Sequence, residues 1–503
     1  MTRSKPAAAP RVPGGLFART GEAATLLVVA VVVCWQLSWR GFTGMANNGD
    51  WSRMIAQVGL AVRPADRDIY AARLTRSFVF RPTATDWHQY PTSAGPLVRA
   101  VVMLDRQLGA GSFDLASLGL VYLVIYLIGV YGLLRVSRAL PAPARAAAVC
   151  AGGLLVTDYA FTAYFHSLYS EPVAILGTLF AITAGVHYAA GPGNRRWLAA
   201  LAVALGVTAS AKAQYAPTAV VVALAVAASG ALAAKRDRRW CSAAAPLLAG
   251  LLVTGVAATE LALQPQRIAR SNAWDVTYDQ VLPFSSHPRS ALSELGLSPA
   301  LVVYSGRSAY APRTPLTDPV LRVRFPVYVP TTGALTAYWA RHPLQSAHLL
   351  LRGGAGLSEW RPQYISNTTT PGPGGRRRLL AGASAWSGSV RTLGNAAPGV
   401  VALVLLAGLV GPLAGLRRSS RRSGRHSTSG TPATGRGMLP VLSVLSLAAV
   451  SQFVTVLLGD GTYELVKHLL LFDLLWGATA VGLLTWGAVR LSASCGRRSR
   501  LDR

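Results

Sequence analysis

The sequence predicts an all-α polytopic membrane protein with about ten transmembrane helices, both termini inside, and two large outer loops. The first observation is composition: 51% of the 503 residues are hydrophobic and only 14% are charged, whereas soluble proteins carry about 25% charged residues. The second is patterning, because the apolar residues form runs long enough to cross a bilayer as helices. The third is that clusters of Arg separate these runs.

Ten apolar runs qualify as spans. Trp35 and Trp39 at the end of the first run indicate an interfacial anchor, so we expect a retained helix and not a cleaved signal peptide. The run 197–213 is short and polar at its end, which makes it the weakest. The predicted spans are 23–39, 115–134, 146–164, 172–190, 197–213, 215–234, 243–263, 397–416, 438–458 and 468–491.

Arg and Lys in the short connections set the orientation, because cytoplasmic loops are enriched in both. With the N-terminus inside, every short inner segment is basic and the C-terminus also lies inside. Of the 20 acidic residues, only Glu22, Asp237 and Asp502 then fall inside. The others gather outside, most simply because both large loops are there.

This topology divides the chain into five predicted regions. The two outer loops carry a predicted surface helix at 96–109 and an amphipathic helix at 334–352. The regions are a basic cytoplasmic N-terminus (1–22), an N-terminal core of about seven helices (23–263) that includes outer loop 40–114, a large extracytoplasmic loop (264–396), C-terminal helices (397–491) with a cytoplasmic linker at 417–437, and a cytoplasmic tail (492–503).

The formal net charge of +29 does not indicate nucleic-acid binding, since the basic residues fall in clusters between apolar runs. Arg far outnumbers Lys, and the excess of Ala, Gly and Pro is typical of a high-GC, actinobacterial-type genome. No pair of the four Cys lies in a long outer loop, so we expect no disulfide and no CxxC-type metal site.

The segment 47–53 lies a few residues beyond the first span. Gly49 permits a tight turn, and Asp50 follows it directly. A carboxylate held there can serve as a general base, with Asn48 and Arg53 beside it. An Asx turn or a helix N-cap is the structural alternative.

Asp86 to Gly95 precede the predicted surface helix. Asp86 and His88, with the aromatic rings of Trp87 and Tyr90, provide the mixed polar and aromatic lining that binds sugar faces. An interfacial belt of Trp and Tyr explains the same residues.

The turn 164–172 between the third and fourth spans is short, so His166 and Glu171 must lie at the outer membrane boundary. Asp158 lies deeper on the third span. Ionisable groups at this depth are costly and are usually functional or paired. A helix cap before Pro172 is the alternative.

The hinge 211–217 between the fifth and sixth spans contains Lys212, one of only four Lys in the chain, followed by Gln214. Lys212 lies where the phosphate of a lipid-linked substrate would be. Snorkelling of the ammonium group to the interface is the alternative.

The connection 459–468 leads into the last span and contains Asp460. A helix beginning two residues before Glu464 would place Glu464, Lys467 and His468 on one face. A capped helix start with a local ion pair is the alternative.

All five segments fall at the same depth on the same side, which suits a lipid-linked substrate. Its phosphate needs Lys or Arg. An acceptor hydroxyl needs a positioned carboxylate, and the lipid needs apolar helix walls.

This pattern resembles the GT-C superfamily of membrane glycosyltransferases, which carry a catalytic Asp or Glu shortly after the first helix and use polyprenyl-phosphate sugars. Asn48-Gly49-Asp50 stand at the matching place. The stretches YFHSLYSEP, SAKAQYAP and GDGTYELVKH are similar to those of bacterial members expected to transfer hexoses in surface-glycan assembly. A single acid at Asp50, in place of paired acids or DxD, leaves metal dependence open.

The resemblance implies transfer of a sugar, expected to be a hexose, from a polyprenyl-phosphate donor to a glycan or lipid acceptor outside the plasma membrane. Asp50 would be the base of an inverting displacement. Lys212, Lys467 and Arg53 would contact phosphate, and His166, Glu171 and Asp86 would orient sugar or acceptor. The full set of expected binding residues is Asn48, Arg53, Asp86, His88, His166, Glu171, Lys212, Gln214, Asp460, Glu464, Lys467 and His468.

Two other classes of protein remain as alternatives. A transporter or flippase would bind a lipid-linked or polyanionic substrate near the midplane, often between repeats. A non-catalytic scaffold for envelope assembly would present apolar outer patches. The sequence shows no internal repeat, and its charges avoid the midplane of the predicted spans.

Overall fold

The computed structural model describes residues 15–38, 41–63, 73–82, 91–191, 194–237, 241–369, 384–420 and 433–501. Regular structure in these ranges is almost entirely helical, which confirms the predicted fold class. The first ten helices are α1 (Gly15–Ser38), α2 (Trp51–Val58), α3 (Ala94–Gln107), α4 (Leu115–Ser137), α5 (Ala142–Val156), α6 (Tyr159–Thr162), α7 (Glu171–Ala190), α8 (Arg195–Ala209), α9 (Ala216–Asp237) and α10 (Cys241–Ala262).

The second half begins with short helices and ends in three long ones. A π-helix, Asp275–Val281, follows the first of the short helices directly. These helices are α11 (Gln266–Trp274), α12 (Pro288–Glu294), α13 (Pro319–Arg324), α14 (Thr332–Arg341), α15 (Pro343–Gly353), α16 (Ala385–Thr392), α17 (Ala397–Ser420), α18 (Ala433–Gly459), α19 (Leu465–His468) and α20 (Leu470–Leu501).

Eight of the described helices are long and apolar enough to cross a membrane, or nine if α5 and the bent segment 159–165 form one span. The ten predicted spans differ from this number mainly at 197–213. There α8 has only 15 residues, whereas a span needs about 20. The protein is therefore a multi-pass membrane protein with eight or nine candidate spans.

The bundle exposes apolar side chains on its outer faces. On α4, Leu120, Val124 and Ile128 are all more than half exposed and are spaced four residues apart. This spacing places them in one stripe along the helix. A stripe of exposed aliphatic side chains on a long helix is the surface expected to contact lipid.

Small residues allow the helices of the bundle to approach closely. Gly230 of α9 faces Pro246 of α10, and a Cβ at Gly230 would lie 2.6 Å from the Cβ of Pro246. Between α7, α8, α9 and α10 the buried residues are mainly Ala. Such surfaces are typical of helix contacts inside membranes.

A three-stranded antiparallel sheet, which the sequence did not predict, lies between α2 and α4. Its strands are β1 (Leu60–Ala61), β2 (Ser77–Phe80) and β3 (Phe113–Asp114), in that spatial order. Leu60 pairs with Phe80, and Phe78 pairs with Phe113. The predicted surface helix at 96–109 is α3, which packs beside this sheet.

The predicted amphipathic helix at 334–352 is two helices, α14 and α15. They meet at His342 and Pro343. Proline lacks a backbone N–H and is favoured in the first turn of a helix, so Pro343 ends one helix and opens the next. The short helices α11, α12, α14 and α15 share a second hydrophobic core, which also contains Leu457 of α18.

Asp158, which is buried between α5 and α6, has a structural role. Its carboxylate caps α6 by accepting from the Ala160 N–H at 2.9 Å. It also accepts from the backbone N–H and the hydroxyl of Ser387, both at 2.8 Å, and so holds α16 against the bundle. These bonds explain a buried acid at this depth without a catalytic function.

We therefore expect Asp158→Ala to destabilise the protein by about 2–4 kcal/mol, because it leaves buried donors without acceptors. The measurement is the thermal unfolding midpoint of the full chain in lipid nanodiscs. Asp105→Ala on the surface of α3 is the matched control. An unchanged midpoint in Asp158→Ala would contradict the structural role.

Candidate active site

The candidate site lies at the end of the bundle where α1 and α18 end and α7 and α20 begin. The segment 43–46 runs through it and pairs with 366–368. Gly44 and Ala46 donate backbone N–H groups to the carbonyl oxygens of Asn367 and Ser366, at 3.1 and 2.9 Å. Residues that are far apart in the sequence thus form one wall of the site.

The turn at Asn47 sets the position of Asp50. The Asn47 side-chain oxygen accepts from the N–H groups of Gly49 and Trp51, at 2.7 and 3.1 Å. Gly49 has a φ of 109°, which favours glycine. Asp50 sits at the N-cap position of α2 but makes no side-chain capping bond. The Asx turn therefore exists but belongs to Asn47, and the Asp50 carboxylate points elsewhere.

Asp50 is the centre of a chain of ion pairs, which we call the charge chain: Glu171, Lys212, Asp50, Lys467 and Glu464. The Lys467 ammonium donates to Asp50 Oδ2 and lies 3.2 Å from Glu464 Oε2. The Lys212 ammonium lies 3.1 Å from Glu171 Oε1 and 3.8 Å from Asp50 Oδ2. The structure thus brings together five residues that the sequence predicted for the site.

Burial differs along the charge chain. The side chains of Lys467 and Glu171 are each only 1% exposed, whereas Asp50 is 20% exposed and Glu464 is 18% exposed. The innermost charges therefore hold the cluster in place. Asp50 and Glu464 are the carboxylates that a substrate can reach.

Asn48 and Tyr169 fix this arrangement further. Asn48 donates its side-chain N–H groups to both oxygens of Glu464, at 2.8 and 2.9 Å. Its backbone N–H donates to the Tyr169 hydroxyl at 3.0 Å. The Lys467 ammonium lies 5.3 Å from the centre of the Tyr169 ring, within cation–π distance.

The break between α18 and α20 differs from the prediction. Glu464 adopts the left-handed conformation, with φ of 53°, at the N-cap position of α19, where its side chain makes no capping bond; α19 begins only at Leu465. The expectation that Glu464, Lys467 and His468 share one helix face is therefore wrong. A non-glycine residue in this conformation is strained, and such residues are enriched at functional sites.

His468 points into a second polar group beside the charge chain. Its Nδ1 lies 2.7 Å from Gln214 Oε1 and 3.3 Å from Asp460 Oδ2. Both neighbours are acceptors, so Nδ1 carries the proton. Asn272 donates to the other oxygen of Asp460. The predicted residues Gln214, Asp460 and His468 are thus in contact with each other.

Opposite charges hold this end of the charge chain in its ionised form. Burial would lower the pKa of the Lys467 ammonium, but Asp50, Glu464 and Glu171 outweigh it and raise that pKa. Burial would raise the pKa of the Glu464 carboxyl, but Lys467 and His468 lower it below its usual value. Near neutral pH both groups are charged.

His166 does not join the charge chain. Its ring stacks on Phe42 at 4.2 Å, and its Nδ1 lies 2.7 Å from the Thr43 carbonyl oxygen. Gly119 of α4 leaves room for it, since a Cβ there would lie 2.3 Å from the ring. Burial lowers the pKa of His166 to about 4, so the ring is neutral near pH 7, and its role in orienting sugar or acceptor stays a prediction.

Three other predicted residues lie wholly or in part outside the portion of the chain that the structure describes. Asp86 and His88 lie in 83–90, outside the described residues, and the side chain of Arg53 in α2 is also outside them. Their roles remain predictions.

The site also includes the segment 360–368, which the sequence did not predict. The Tyr364 hydroxyl is hydrogen-bonded to the Glu464 carboxylate. Arg361 donates to the side-chain oxygen of Asn367. In the sequence, Trp360-Arg361-Pro-Gln-Tyr364 could have indicated a contribution to the site, since it combines a cation with two amphipathic rings in a predicted outer loop.

The carboxylates of the charge chain face cations. Those of Asp50, Glu171 and Glu464 each lie against lysine ammonium groups. Within the described ranges, no group of three His, Cys, Asp or Glu side chains has the geometry to hold a metal.

The fold and this site define a class of protein: a multi-pass membrane protein with a polar site among its helix ends. Residues 17–500 match the family described as the YfdI N-terminal transmembrane domain, and the chain belongs to that family. A comparison with curated proteins gave no match.

Two solved structures are similar in part. One is the archaeal oligosaccharyltransferase AglB from Archaeoglobus fulgidus with an inhibitory peptide and a dolichol-phosphate, at 12% identity over 93% of this chain and a TM-score of 0.38. The other is the apo form of the Archaeoglobus fulgidus oligosaccharyltransferase, at 13% identity over 92% and a TM-score of 0.37. The chain spans 50% of the length of each.

Asp275 in the π-helix gives a prediction about pH. Burial, partly countered by the Ala309 N–H and reinforced by nearby carboxylates, raises its pKa to about 7. The folded state therefore binds this proton more tightly than the unfolded state does, and its stabilising contribution falls as pH rises from about 4 to about 7.

We expect Asp275→Asn to remove this pH-dependent loss of stability. The asparagine keeps the side-chain oxygen that accepts from the Ala309 N–H at 2.6 Å. The unfolding midpoint of the variant should vary less between pH 4 and 8 than that of the wild type. Asp318→Asn, at an exposed helix cap, is the control. Identical pH profiles for wild type and Asp275→Asn would show that Asp275 does not titrate in this range.

Proposed function

We propose that this protein is a glycosyltransferase of GT-C type that moves a hexose from a polyprenyl-phosphate donor to a cell-envelope glycan or lipid acceptor. The proposed site faces the outside of the plasma membrane, on the side that the Arg clusters indicate. The observation that carries the proposal is the Asp50 carboxylate: it takes no part in capping α2, is partly exposed, and is held between two lysines.

The proposed reaction is a single displacement. Asp50 takes the proton from the acceptor hydroxyl while the oxygen attacks the anomeric carbon. The bond from that carbon to the phosphate oxygen breaks, and the polyprenyl phosphate leaves with the bonding electrons. The anomeric configuration inverts, and the transition state has oxocarbenium character.

The lysines act on the base in this mechanism. A general base must be deprotonated at the working pH, and two ammonium groups next to Asp50 favour its anionic form. Lys467 and Lys212 already face Asp50, Glu464 and Glu171. Their predicted role as phosphate contacts is therefore secondary to holding the base.

Arg361 is the better candidate for the donor phosphate. Within the described residues, no carboxylate oxygen lies within 4.0 Å of its guanidinium, and its hydrogen bond goes to the neutral Asn367 side chain. Partial burial lowers the pKa of Arg361 and Arg391 adds to this, while Tyr159, Tyr164 and Asp158 act in the opposite direction. A half-buried guanidinium whose hydrogen bond goes to a neutral group can accept an anion, and guanidinium binds phosphate in a bidentate manner.

The position of the charge chain also argues against a transporter. The five residues of the charge chain lie on four segments that meet at one end of the bundle. These segments come after α1, before α7, after α8 and before α20. A transporter site is expected near the midplane.

The decisive test is Asp50→Asn, which keeps the shape of the side chain and removes its basicity. We expect sugar transfer to fall about 10²–10⁴-fold. The variant should still fold, with a lower unfolding midpoint because the buried Lys467 ammonium loses a charged partner. The measurement is release of labelled hexose from polyprenyl-phosphate hexose by the full chain in proteoliposomes.

Asp105→Asn on α3 is the matched control, because it makes the same change of side chain at a residue outside the charge chain. Wild-type transfer by Asp50→Asn would reject Asp50 as the base. Loss of transfer in the control as well would show a general loss of charge rather than a specific base.

The phosphate site gives a separate prediction. Arg361→Gln removes one charge-assisted contact, so we expect the KM for the donor to rise about 10- to 100-fold, with a smaller effect on kcat. Arg307→Gln, an exposed arginine at Tyr304, is the control. An unchanged KM in Arg361→Gln would exclude Arg361 from the donor site.

A further inference from the structure

Three tyrosines converge on Glu464 from three segments of the chain. Tyr463 precedes Glu464 directly, Tyr364 comes from the segment 360–368, and Tyr310 comes from the loop before α13. They are 39%, 44% and 67% exposed. Exposed aromatic rings from separate segments that meet beside a half-buried carboxylate indicate a binding surface, since exposed apolar surface carries a cost.

The pair Tyr310 and Tyr463 has a defined geometry. Their ring centres are 5.7 Å apart and the planes are inclined by 33°. The backbone beneath Tyr463 is fixed, because Gln280 donates to the Thr462 hydroxyl. Gly461 packs so closely there that a Cβ would lie 3.1 Å from Gln280. The two rings thus form one exposed aromatic surface on a rigid support.

Two of the three tyrosines are tied directly to the charge chain, because the Tyr364 hydroxyl is hydrogen-bonded to Glu464 and Tyr463 is its neighbour in sequence. Partial burial raises the pKa of Tyr310, and the carboxylates of Asp50 and Glu464 add to it. Burial and the Glu464 carboxylate likewise raise the pKa of Tyr463 and of Tyr364. All three hydroxyls therefore stay protonated and can donate or accept hydrogen bonds, while much of each residue remains exposed.

A pyranose ring matches this surface. One of its faces is formed by C–H groups, which pack on an aromatic ring, and its edge is formed by hydroxyls, which bond to tyrosine hydroxyls and carboxylates. A phosphate does not fit, because the charge chain has three carboxylates against two ammonium groups and repels anions. A polyprenyl chain does not fit either, since it cannot use the hydroxyls.

The position of the rings indicates that a sugar bound on them belongs to the acceptor and not to the donor. The donor lipid must lie along the apolar walls of the bundle helices. Tyr310, Tyr364 and Tyr463 instead lie on connections between helices, outside every candidate span. A ligand on these rings approaches Asp50 from the aqueous side, which is the direction of the acceptor.

We propose that Tyr310 and Tyr463, together with Tyr364 at Glu464, form the platform that seats an acceptor saccharide and directs one of its hydroxyls at Asp50. With this platform, the proposed class of acceptor is a carbohydrate that exposes one face of a pyranose ring. This inference rests on the proposed function for its role in catalysis, but saccharide binding itself can be measured without transfer.

The experiment is saturation-transfer NMR on the full chain in lipid nanodiscs, without sugar-based detergents, which would compete. The probes are the methyl α-glycosides of glucose, galactose and mannose. We expect at least one to receive saturation at the protons of one ring face. Tyr310→Ala and Tyr463→Ala should bind it about two- to tenfold more weakly, whereas Tyr310→Phe and Tyr463→Phe should largely retain binding.

Tyr131→Ala is the matched control, because Tyr131 on α4 is also 39% exposed but lies beside Arg135, outside the platform. Unfolding midpoints of all variants show whether a loss of binding is a loss of folding. No saturation of any probe by the wild type, or equal binding by the Ala variants and the wild type, would overturn the platform.

The two proposals fail separately. In the transfer assay, the Tyr variants should raise the KM for the acceptor and leave the KM for the donor unchanged. Asp50→Asn should still bind the glycoside. If Asp50→Asn abolishes transfer but the Ala variants bind normally, only the platform is wrong. If the platform binds and Asp50→Asn transfers normally, only the assignment of the base is wrong.

Discussion

The charge chain is the constraint on which this end of the bundle depends. A buried ammonium or carboxylate is tolerated only with a partner, and removing one partner of such a pair costs about 3–5 kcal/mol. Lys467 at 1% exposure therefore requires both Asp50 and Glu464, and buried Glu171 requires Lys212. Four segments that are distant in sequence must come together for these pairs to form.

The groups around the charge chain serve the same requirement. Asn47 caps α2, which leaves the Asp50 carboxylate for the lysines. Asn48 holds both oxygens of Glu464, and this contact together with the ion pair to Lys467 offsets the strain of the left-handed conformation at Glu464. The α18–α20 connection is consequently a short capped turn and not the start of the last helix.

The sequence was sufficient for the helical class and for the five residues of the charge chain, because apolar runs and rare charges beside them are local signals. It was insufficient where the outcome depends on contacts between distant segments. His166 met every criterion that selected Glu171, yet it packs on Gly119. Tyr364 and Arg361 gave no comparable signal, because only the pairing of 366–368 with 43–46 brings their segment to the site. The conformation of Glu464 depends in the same way on Asn48.

The charges also explain why a site of this kind needs two separate regions. Three carboxylates against two ammonium groups suit a base, but the resulting excess of negative charge repels a phosphate. In the proposed function the leaving group must therefore bind to a different cation, and Arg361 lies on the segment that carries Tyr364 to Glu464. In the proposed displacement the acceptor oxygen and the leaving phosphate lie on opposite sides of the anomeric carbon, and Asp50 stands on the acceptor side. The segment 360–368 carries both proposed contacts, Arg361 for the donor phosphate and Tyr364 for the acceptor saccharide.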